Sequence, residues 1–186
     1  MNVKSSLRLK SRITIRQLIN ISLYTSLICV FTILIPSISI SGIPITLQTL
    51  MIILIANIAK PYEAFISVIL YLLLGIIGLP VFSGLNSGIG VLFGPTGGFL
   101  ISFPLAALLI SLNTNNKLEK NLIINIIFGI IFIYLIGTIH MAAVQEIKFF
   151  DAVKIMAMFI PIDIVKVVVA TILGLKIKKS LIKTCS

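Results

Sequence analysis

Long apolar runs, interrupted only by Gly, Pro or charged residues, dominate this chain of 186 residues. The hydrocarbon core of a bilayer is about 30 Å thick, and an α-helix crosses it with about 20 residues. Inside lipid every backbone polar group must find a partner within the protein, which a helix achieves by itself. The sequence therefore predicts six membrane-spanning helices, at about residues 18–35, 45–59, 63–80, 98–112, 122–142 and 156–176.

The composition agrees with a membrane protein. Hydrophobic residues make up 59% of the chain and charged residues 11%, whereas a soluble domain carries about 25% charged residues. We therefore predict an all-α integral membrane protein, a six-helix bundle that forms a single domain over residues 1–186. The second and fourth predicted helices are short for a ~30 Å core, which favours neighbouring backbone that dips back into the protein.

Basic residues cluster near the ends of the predicted helices. With the N-terminus inside, the cytoplasmic segments hold twelve of the 15 Lys and Arg residues, and the external segments hold only Lys148 and Lys154. This asymmetry predicts that both termini are cytoplasmic, with a basic arm at 1–17 and a tail at 177–186. The net charge of +10 then reflects contact with the lipid bilayer, and we expect no nucleic-acid partner.

The connection between the third and fourth predicted helices, residues 80–98, is rich in glycine and carries no charge. Gly and Pro at this density prevent a regular helix and allow tight turns. Its apolar side chains are too numerous for a solvated loop: Val81, Phe82, Leu85, Val91, Leu92 and Phe93. We expect an external lid that buries them over the mouth of the bundle. A plain connector between helices is the alternative.

Asp163 and Lys166 carry opposite charges within the last apolar run. A charge at the bilayer centre costs about 3 kcal/mol, so ionisable residues there usually serve a function. The i, i+3 spacing places both side chains on one helical face, within reach of each other and of a shared ligand. The alternative is an internal salt bridge, but desolvation makes buried ion pairs poor stabilisers. We therefore expect the pair to face a cavity that is reached from outside.

Two amide side chains lie on the same predicted side of the membrane: Gln48 opens the second helix, and Asn86 lies in the glycine-rich connection. An amide offers a donor and an acceptor together, which suits a ureido or amide ligand. Aromatic residues that could wall an apolar pocket are Tyr71, Phe82, Phe93 and Phe99. The nucleophile–base arrangement of covalent catalysis is missing, and no metal cluster or nucleotide-binding loop appears, so we predict that the chain is not an enzyme.

Four short motifs follow one another along nearly the whole chain. They are Pro44-Ile-Thr46-Leu-Gln48-Thr49, Tyr71-Leu-Leu-Leu-Gly75-Ile-Ile-Gly78-Leu-Pro80-Val-Phe82, Gly94-Pro95-Thr96-Gly97-Gly98-Phe99-Leu100, and Pro161-Ile162-Asp163 with Lys166. In this order they resemble the BioY family, the biotin-binding substrate-specificity components (S components) of energy-coupling-factor (ECF) transporters. The resemblance implies a six-helix protein of the cell membrane that captures biotin outside the cell and delivers it to the cytoplasm.

The resemblance also implies ligand contacts and partners. The family's substrate-binding residues carry over to Asn86, Asp163 and Lys166, with Gln48 as a further candidate. The implied partners are a transmembrane coupling subunit and two ATPase subunits, which use the ATP, so biotin is a ligand and no cofactor is expected. Small residues four apart in the first helix would form the docking face for the coupling subunit; the two possible pairs are Ser22 with Ser26 and Thr25 with Cys29.

Two residues depart from the family pattern. Ile162 stands where the family's late Pro-Gly-Asp-x-x-Lys motif has glycine, and Ser102 replaces a glycine that is common after the third motif. A bulkier residue at position 162 is expected to alter the approach to the site. Two alternatives therefore stay open: an S component for a different vitamin, and a structural membrane protein with no ligand.

Overall fold

A computed structural model describes residues 14–34, 38–40 and 43–184 of the chain. Most of the predicted basic arm (residues 1–13), parts of the first predicted external connection (35–37 and 41–42) and Cys185 lie outside the described residues.

The described residues form nine α-helices and one small hairpin. The helices are α1 (Ile15–Leu34), α2 (Gln48–Ile58), α3 (Pro61–Ile76), α4 (Gly90–Phe93), α5 (Gly97–Asn113), α6 (Leu118–Ile126), α7 (Phe132–Val144), α8 (Phe149–Ala157) and α9 (Ile160–Thr184). A π-helical turn, Ile127–Ile131, joins α6 to α7 without a break. Strands β1 (Ile38–Ile40) and β2 (Ile43–Ile45) pair antiparallel between α1 and α2.

The six predicted membrane helices correspond to α1, α2, α3, α5, the joined α6–α7 segment and α9. Helix α1 and the α6–α7 segment are each long and apolar enough to cross a membrane, while α8 and α9 meet that criterion as a pair bent by 56°. The helical membrane fold is therefore confirmed. The prediction omitted three elements, the β1–β2 hairpin and the helices α4 and α8.

Helix α2 lies at the centre of the bundle. It packs against α1, α5 and α9, and its apolar residues Met51, Ile52, Ile53 and Ile55 are all buried. A helix that is apolar on every side is stable only when protein or lipid surrounds it completely. Its 11 residues span about 16 Å at ~1.5 Å per residue, roughly half of the hydrocarbon core. The helix is short, as predicted. It is stable at this length because longer neighbouring helices enclose it.

Local signals in the sequence explain where two helices begin. Before α1, the Thr14 hydroxyl accepts a hydrogen bond from the backbone N–H of Gln17 (3.3 Å), and the Gln17 side chain accepts one from the backbone N–H of Thr14 (2.9 Å). This reciprocal capping box satisfies backbone donors that the first helical turn leaves free. Pro61 occupies the first turn of α3, where its missing N–H removes no helical hydrogen bond.

Buried polar side chains join three helices at the C-terminal end of α2. The Asn125 amide nitrogen in α6 donates to Asn57 Oδ1 in α2 (3.3 Å) and to Thr171 Oγ1 in α9 (2.8 Å). All three residues are at most 1% exposed. Because an unpaired polar group is costly away from water, these hydrogen bonds hold the three helices at one end of the bundle in a defined register.

The glycine-rich connection between α3 and α5 is anchored by Phe82. The Phe82 ring lies against Gly75 of α3, where an added Cβ would approach the ring to 2.1 Å, and the backbone N–H of Gly88 donates to the Gly75 carbonyl oxygen (2.7 Å). Phe82 is 1% exposed and its neighbour Val81 is 5% exposed.

The expected burial of the other apolar side chains in this connection is only partly correct. Val91 and Leu92 are half-buried, but Leu85 is 61% exposed and Phe93 is 71% exposed. The connection therefore covers the bundle through Val81 and Phe82, whereas the predicted burial of Leu85 and Phe93 was wrong. Composition alone did not show which side of each turn faces the protein.

Replacing Gly97 with Ala is expected to destabilise the junction between the connection and α5. An added Cβ at Gly97 would lie 1.8 Å from the Leu92 carbonyl oxygen, so backbone would have to move. Overpacking of this kind costs about 1–3 kcal/mol, or roughly 2–4 °C of thermal midpoint per kcal/mol for a chain of this size. Thermal unfolding of the purified protein in detergent measures the shift.

Gly90→Ala is the matched control, because an added Cβ at Gly90 meets no atom within 4 Å. We expect this variant to keep the thermal midpoint of the parent protein. Equal losses in the two variants would show that the close approach at Gly97 is not what constrains the junction.

Candidate functional site

A cavity of about 230 Å³ lies between the N-terminal ends of α2, α5 and α9. Its walls come from the glycine-rich connection, from α7 and from the α8–α9 junction as well. The volume is somewhat below the ~300–1,000 Å³ of pockets for drug-sized molecules, which suits a smaller ligand. All four predicted substrate-binding residues line it: Gln48, Asn86, Asp163 and Lys166.

Asp163 and Lys166 form an ion pair on the cavity wall. The Lys166 ammonium donates to Asp163 Oδ1 at 2.7 Å, and the two side chains are 10% and 14% exposed, respectively. The Tyr134 hydroxyl of α7 donates to the other carboxylate oxygen of Asp163. The pair thus faces the cavity and is neither sealed among helices nor turned toward lipid. The Asp163 carboxylate is held in place by Tyr134 of the neighbouring helix α7.

Helix α9 places the two charges one turn apart. Asp163 lies in the first turn of α9, where the positive end of the helix dipole favours a carboxylate, and its backbone N–H donates to the Phe159 carbonyl oxygen (3.0 Å). An ammonium group has three N–H donors. One N–H of Lys166 is used by Asp163, and no other residue within 14–34, 38–40 and 43–184 accepts from it, so two donors are available to a group in the cavity.

Gln48 is buried, and its side chain forms a hydrogen bond with another helix as well as lining the cavity. Its amide nitrogen donates to the Tyr71 hydroxyl of α3, and that hydroxyl donates to the Val81 carbonyl oxygen (3.1 Å). This chain of hydrogen bonds connects α2, α3 and the glycine-rich connection. Gln48 therefore positions the connection over the cavity in addition to lining it.

Asn86 lies at the rim of the cavity and is exposed. Its side-chain nitrogen donates to the Ser83 carbonyl oxygen (2.8 Å), while its backbone carbonyl accepts from the Phe82 N–H (3.0 Å). These two bonds hold a tight turn that includes the 3₁₀ segment Ser83–Leu85. The Asn86 side chain is consequently oriented before any ligand arrives.

Three hydroxyl groups at the cavity were not singled out from the sequence. Tyr134 binds Asp163, as described above, and Thr49 and Ser83 also line the cavity. The side-chain oxygens of Thr49 and Ser83 are buried without a hydrogen-bond partner among the described residues. A buried hydroxyl without a partner carries a desolvation cost that a ligand can remove. Thr49 belonged to a motif quoted above, but Tyr134 and Ser83 carried no local signal.

The apolar walls match the expected aromatics in part. Phe82 and Phe99 line the cavity, and Phe99 meets Tyr134 edge to face with ring centroids 6.2 Å apart. Phe93 is exposed and Tyr71 lies behind Gln48, so neither contributes to the wall. The cavity therefore combines flat apolar surfaces with a small polar patch, which is the usual character of small-molecule sites.

Neither departure from the family pattern lies on the cavity wall. Ile162 is 38% exposed and is not part of that wall, so the altered approach expected from it stays a prediction. The Ser102 hydroxyl donates to the Phe99 carbonyl oxygen (2.7 Å) within α5. Among the described residues, no cluster of three His, Cys, Asp or Glu side chains could hold a metal ion.

Comparisons with known proteins agree with this architecture. The biotin transporter BioY2 of Lactococcus lactis is 41% identical over 80% of this chain and 83% of its own length. The biotin transporter BioY of Thermotoga maritima is 34% identical over 88% of this chain and 96% of its own length. The crystal structure of the S component for biotin from an ECF-type ABC transporter superposes with a TM-score of 0.83 at 28% identity, covering 88% of this chain and 91% of that one.

The model of the BioY family matches residues 3–183, almost the full length of the chain. This is a family of membrane transport components rather than of enzymes. The family match includes every helix that forms the cavity. The chain therefore belongs to the BioY family.

Proposed function

We propose that this chain is the biotin-binding S component of an ECF-type transporter and takes up biotin. The observation that carries the proposal is the Asp163–Lys166 pair, which faces a cavity with apolar walls. Biotin offers a ureido group with two N–H donors and a carbonyl acceptor, an apolar bicycle and an anionic chain. The ureido group and the bicycle both have chemical counterparts in the cavity.

The ureido end of biotin is assigned to the ion pair. Asp163 accepts from a ureido N–H, while a free N–H of Lys166 donates to the ureido carbonyl. The biotin carboxylate is a poor match here because the Asp163 charge would repel it, and the Asp163–Lys166 pair is neutral as a whole. The ureido group is neutral too, so it binds there without introducing an uncompensated charge.

The remaining polar groups complete the proposed binding site. Phe82 and Phe99 pack on the apolar bicycle, Asn86 hydrogen-bonds the ligand at the rim, and Gln48 lies beside it. The unpartnered hydroxyls of Thr49 and Ser83 gain hydrogen bonds from the ligand. No cofactor is required for this binding, and ATP is used by the partner subunits.

The distribution of charge supports an external cavity. Helices α2, α5 and α9 all begin at the cavity and run away from it. Basic residues lie at their other ends: Lys60 after α2, Lys117 and Lys120 after α5, and Lys176, Lys178, Lys179 and Lys183 in the last turns of α9. Asn20 of α1 bonds Glu63 at the start of α3 (3.3 Å), which brings the N-terminal part of α1 to the same end. By the positive-inside rule that end is cytoplasmic.

The proposed topology therefore has both termini in the cytoplasm, with the arm at 1–17 and the tail at 177–186 in a single domain over residues 1–186. The proposed partners are a transmembrane coupling subunit and two ATPase subunits. Of the two small-residue pairs on α1, Ser22 and Ser26 are exposed, whereas Thr25 is buried and donates to the Ser67 carbonyl oxygen (3.0 Å). Ser22 and Ser26 are accordingly the proposed docking pair.

Binding of biotin by the purified chain is the direct test of the proposal. Isothermal titration in detergent is expected to show one biotin bound per chain and no heat with other vitamins such as thiamine or riboflavin. A response to another vitamin alone would identify an S component of different specificity. No response from folded protein would favour a structural role.

Asp163→Ala is expected to weaken biotin binding by about 10- to 100-fold, since a hydrogen bond to a charged group contributes ~1.5–3 kcal/mol. The substitution also leaves Lys166 without its partner in a nearly buried position. Titration calorimetry measures the affinity, and size-exclusion chromatography checks that the variant remains folded.

Asp151→Ala is the matched control. Asp151 forms the same i, i+3 ion pair with Lys154 (3.1 Å), but these side chains are 53% and 78% exposed and lie outside the cavity wall. We expect its affinity for biotin to equal that of the parent protein. If Asp163→Ala bound biotin as tightly as Asp151→Ala, the assignment of the ion pair would be wrong.

Asn86→Ala is expected to reduce biotin affinity by about tenfold, the equivalent of one hydrogen bond of ~1.4 kcal/mol, without loss of the fold. The control is Asn113→Ala, which removes another exposed amide that donates to a backbone carbonyl, that of Leu109 (2.8 Å). Radiolabelled biotin retention compares the two. Unfolding of Asn86→Ala, or equal retention by both variants, contradicts a ligand-binding role.

A further inference from the structure

Helix α8 has three distinct sides. Ala152 and Met156 are buried, at 0% and 5% exposure, and pack with Phe159 against Met141 of α7. Asp151 and Lys154 form an exposed ion pair on another side. A third side is apolar but exposed: Phe149 is 43%, Val153 is 40% and Phe150 is 77% exposed.

The orientation of α8 about its axis is set by the cavity. Met156 and Phe159 line the cavity wall, so turning the helix to bury Phe149 or Phe150 would withdraw that wall. The charged side cannot enter hydrocarbon at low cost. The apolar side must therefore face whatever surrounds the protein at this level.

Helix α8 does not continue the line of α9. Helix α9 has 16 residues, 160–175, ahead of Lys176, about 24 Å at ~1.5 Å per residue, and it is long and apolar enough to cross the hydrocarbon core only as the bent α8–α9 pair. The axis turns by 56° between α8 and α9. Helix α8 thus lies at the boundary of the membrane, on the cavity side, between two membrane-embedded helices.

We propose that α8 is an interfacial helix, whose side formed by Phe149, Phe150 and Val153 is immersed in the lipid leaflet on the cavity side. Amphipathic helices of this kind lie about 5–10 Å into the boundary between headgroups and acyl chains. The Asp151–Lys154 side then faces the headgroups and water. The apolar side is continuous with exposed apolar residues of the neighbouring helices, including Val144 (40%), Met158 (50%) and Ile160 (37%).

The chain contains no tryptophan, so a single introduced Trp reports on its own surroundings. We would purify Val153→Trp and Asp151→Trp, which place the probe on the apolar and charged sides of the same helix, about 160° apart around its axis. Each variant is reconstituted in vesicles of phosphatidylcholine and phosphatidylglycerol, with and without lipids brominated near the headgroup end of the acyl chain. Trp emission is recorded for both.

We expect Val153→Trp to emit at shorter wavelength than Asp151→Trp and to be quenched at least about twofold more strongly by the brominated lipid, because only its side of α8 lies among acyl chains. Emission typical of water, or equal quenching of the two variants, would overturn the proposal. Short-wavelength emission from Val153→Trp without quenching would overturn it too, since that result shows contact with another protein copy. Phe149→Trp repeats the test at a second position on the apolar side.

Discussion

Asp163 and Lys166 form an ion pair that the surrounding helices must accommodate within the membrane. Neither charge is stable alone at this depth, because hydrocarbon does not solvate ions. The pair is stabilised from two directions, by the short contact between the two side chains and by the Tyr134 hydroxyl from α7. A cavity beside it completes the arrangement, since a polar ligand there can occupy donors that the pair leaves unused.

The rest of the bundle provides room for that cavity. Helix α2 is short, so its first residue, Gln48, lies inside the bundle instead of at the membrane surface. Glycine at position 75 admits the Phe82 ring, which holds the connection between α3 and α5 across the opening. Hydrogen bonds among Asn57, Asn125 and Thr171 hold the helices together at the end away from the cavity. One end of the molecule is therefore tightly joined and the other is hollow.

Sequence reasoning succeeded for the long apolar helices and their spacing, which depend on neighbours along the chain. The i, i+3 spacing of Asp163 and Lys166 predicted their contact, because helix geometry brings such residues together. It succeeded less well where a feature depends on distant segments. Phe93 resembled Phe82 in every local respect, yet Phe93 is exposed and Phe82 is buried against Gly75. Tyr134 was missed because it lies 29 residues before Asp163.

The sequence by itself determined that the chain is a helical membrane protein and that Asp163 and Lys166 are neighbours on one helix. These follow from hydropathy, charge and helical periodicity, which act over a few residues. Only the tertiary structure decided that the pair faces a cavity and that α8 turns away from α9. It also placed the hydroxyls of Thr49 and Ser83 at the cavity with no hydrogen-bond partner in the described part of the chain. These features arise from packing between helices remote in sequence, and local patterns carry no information about which faces meet.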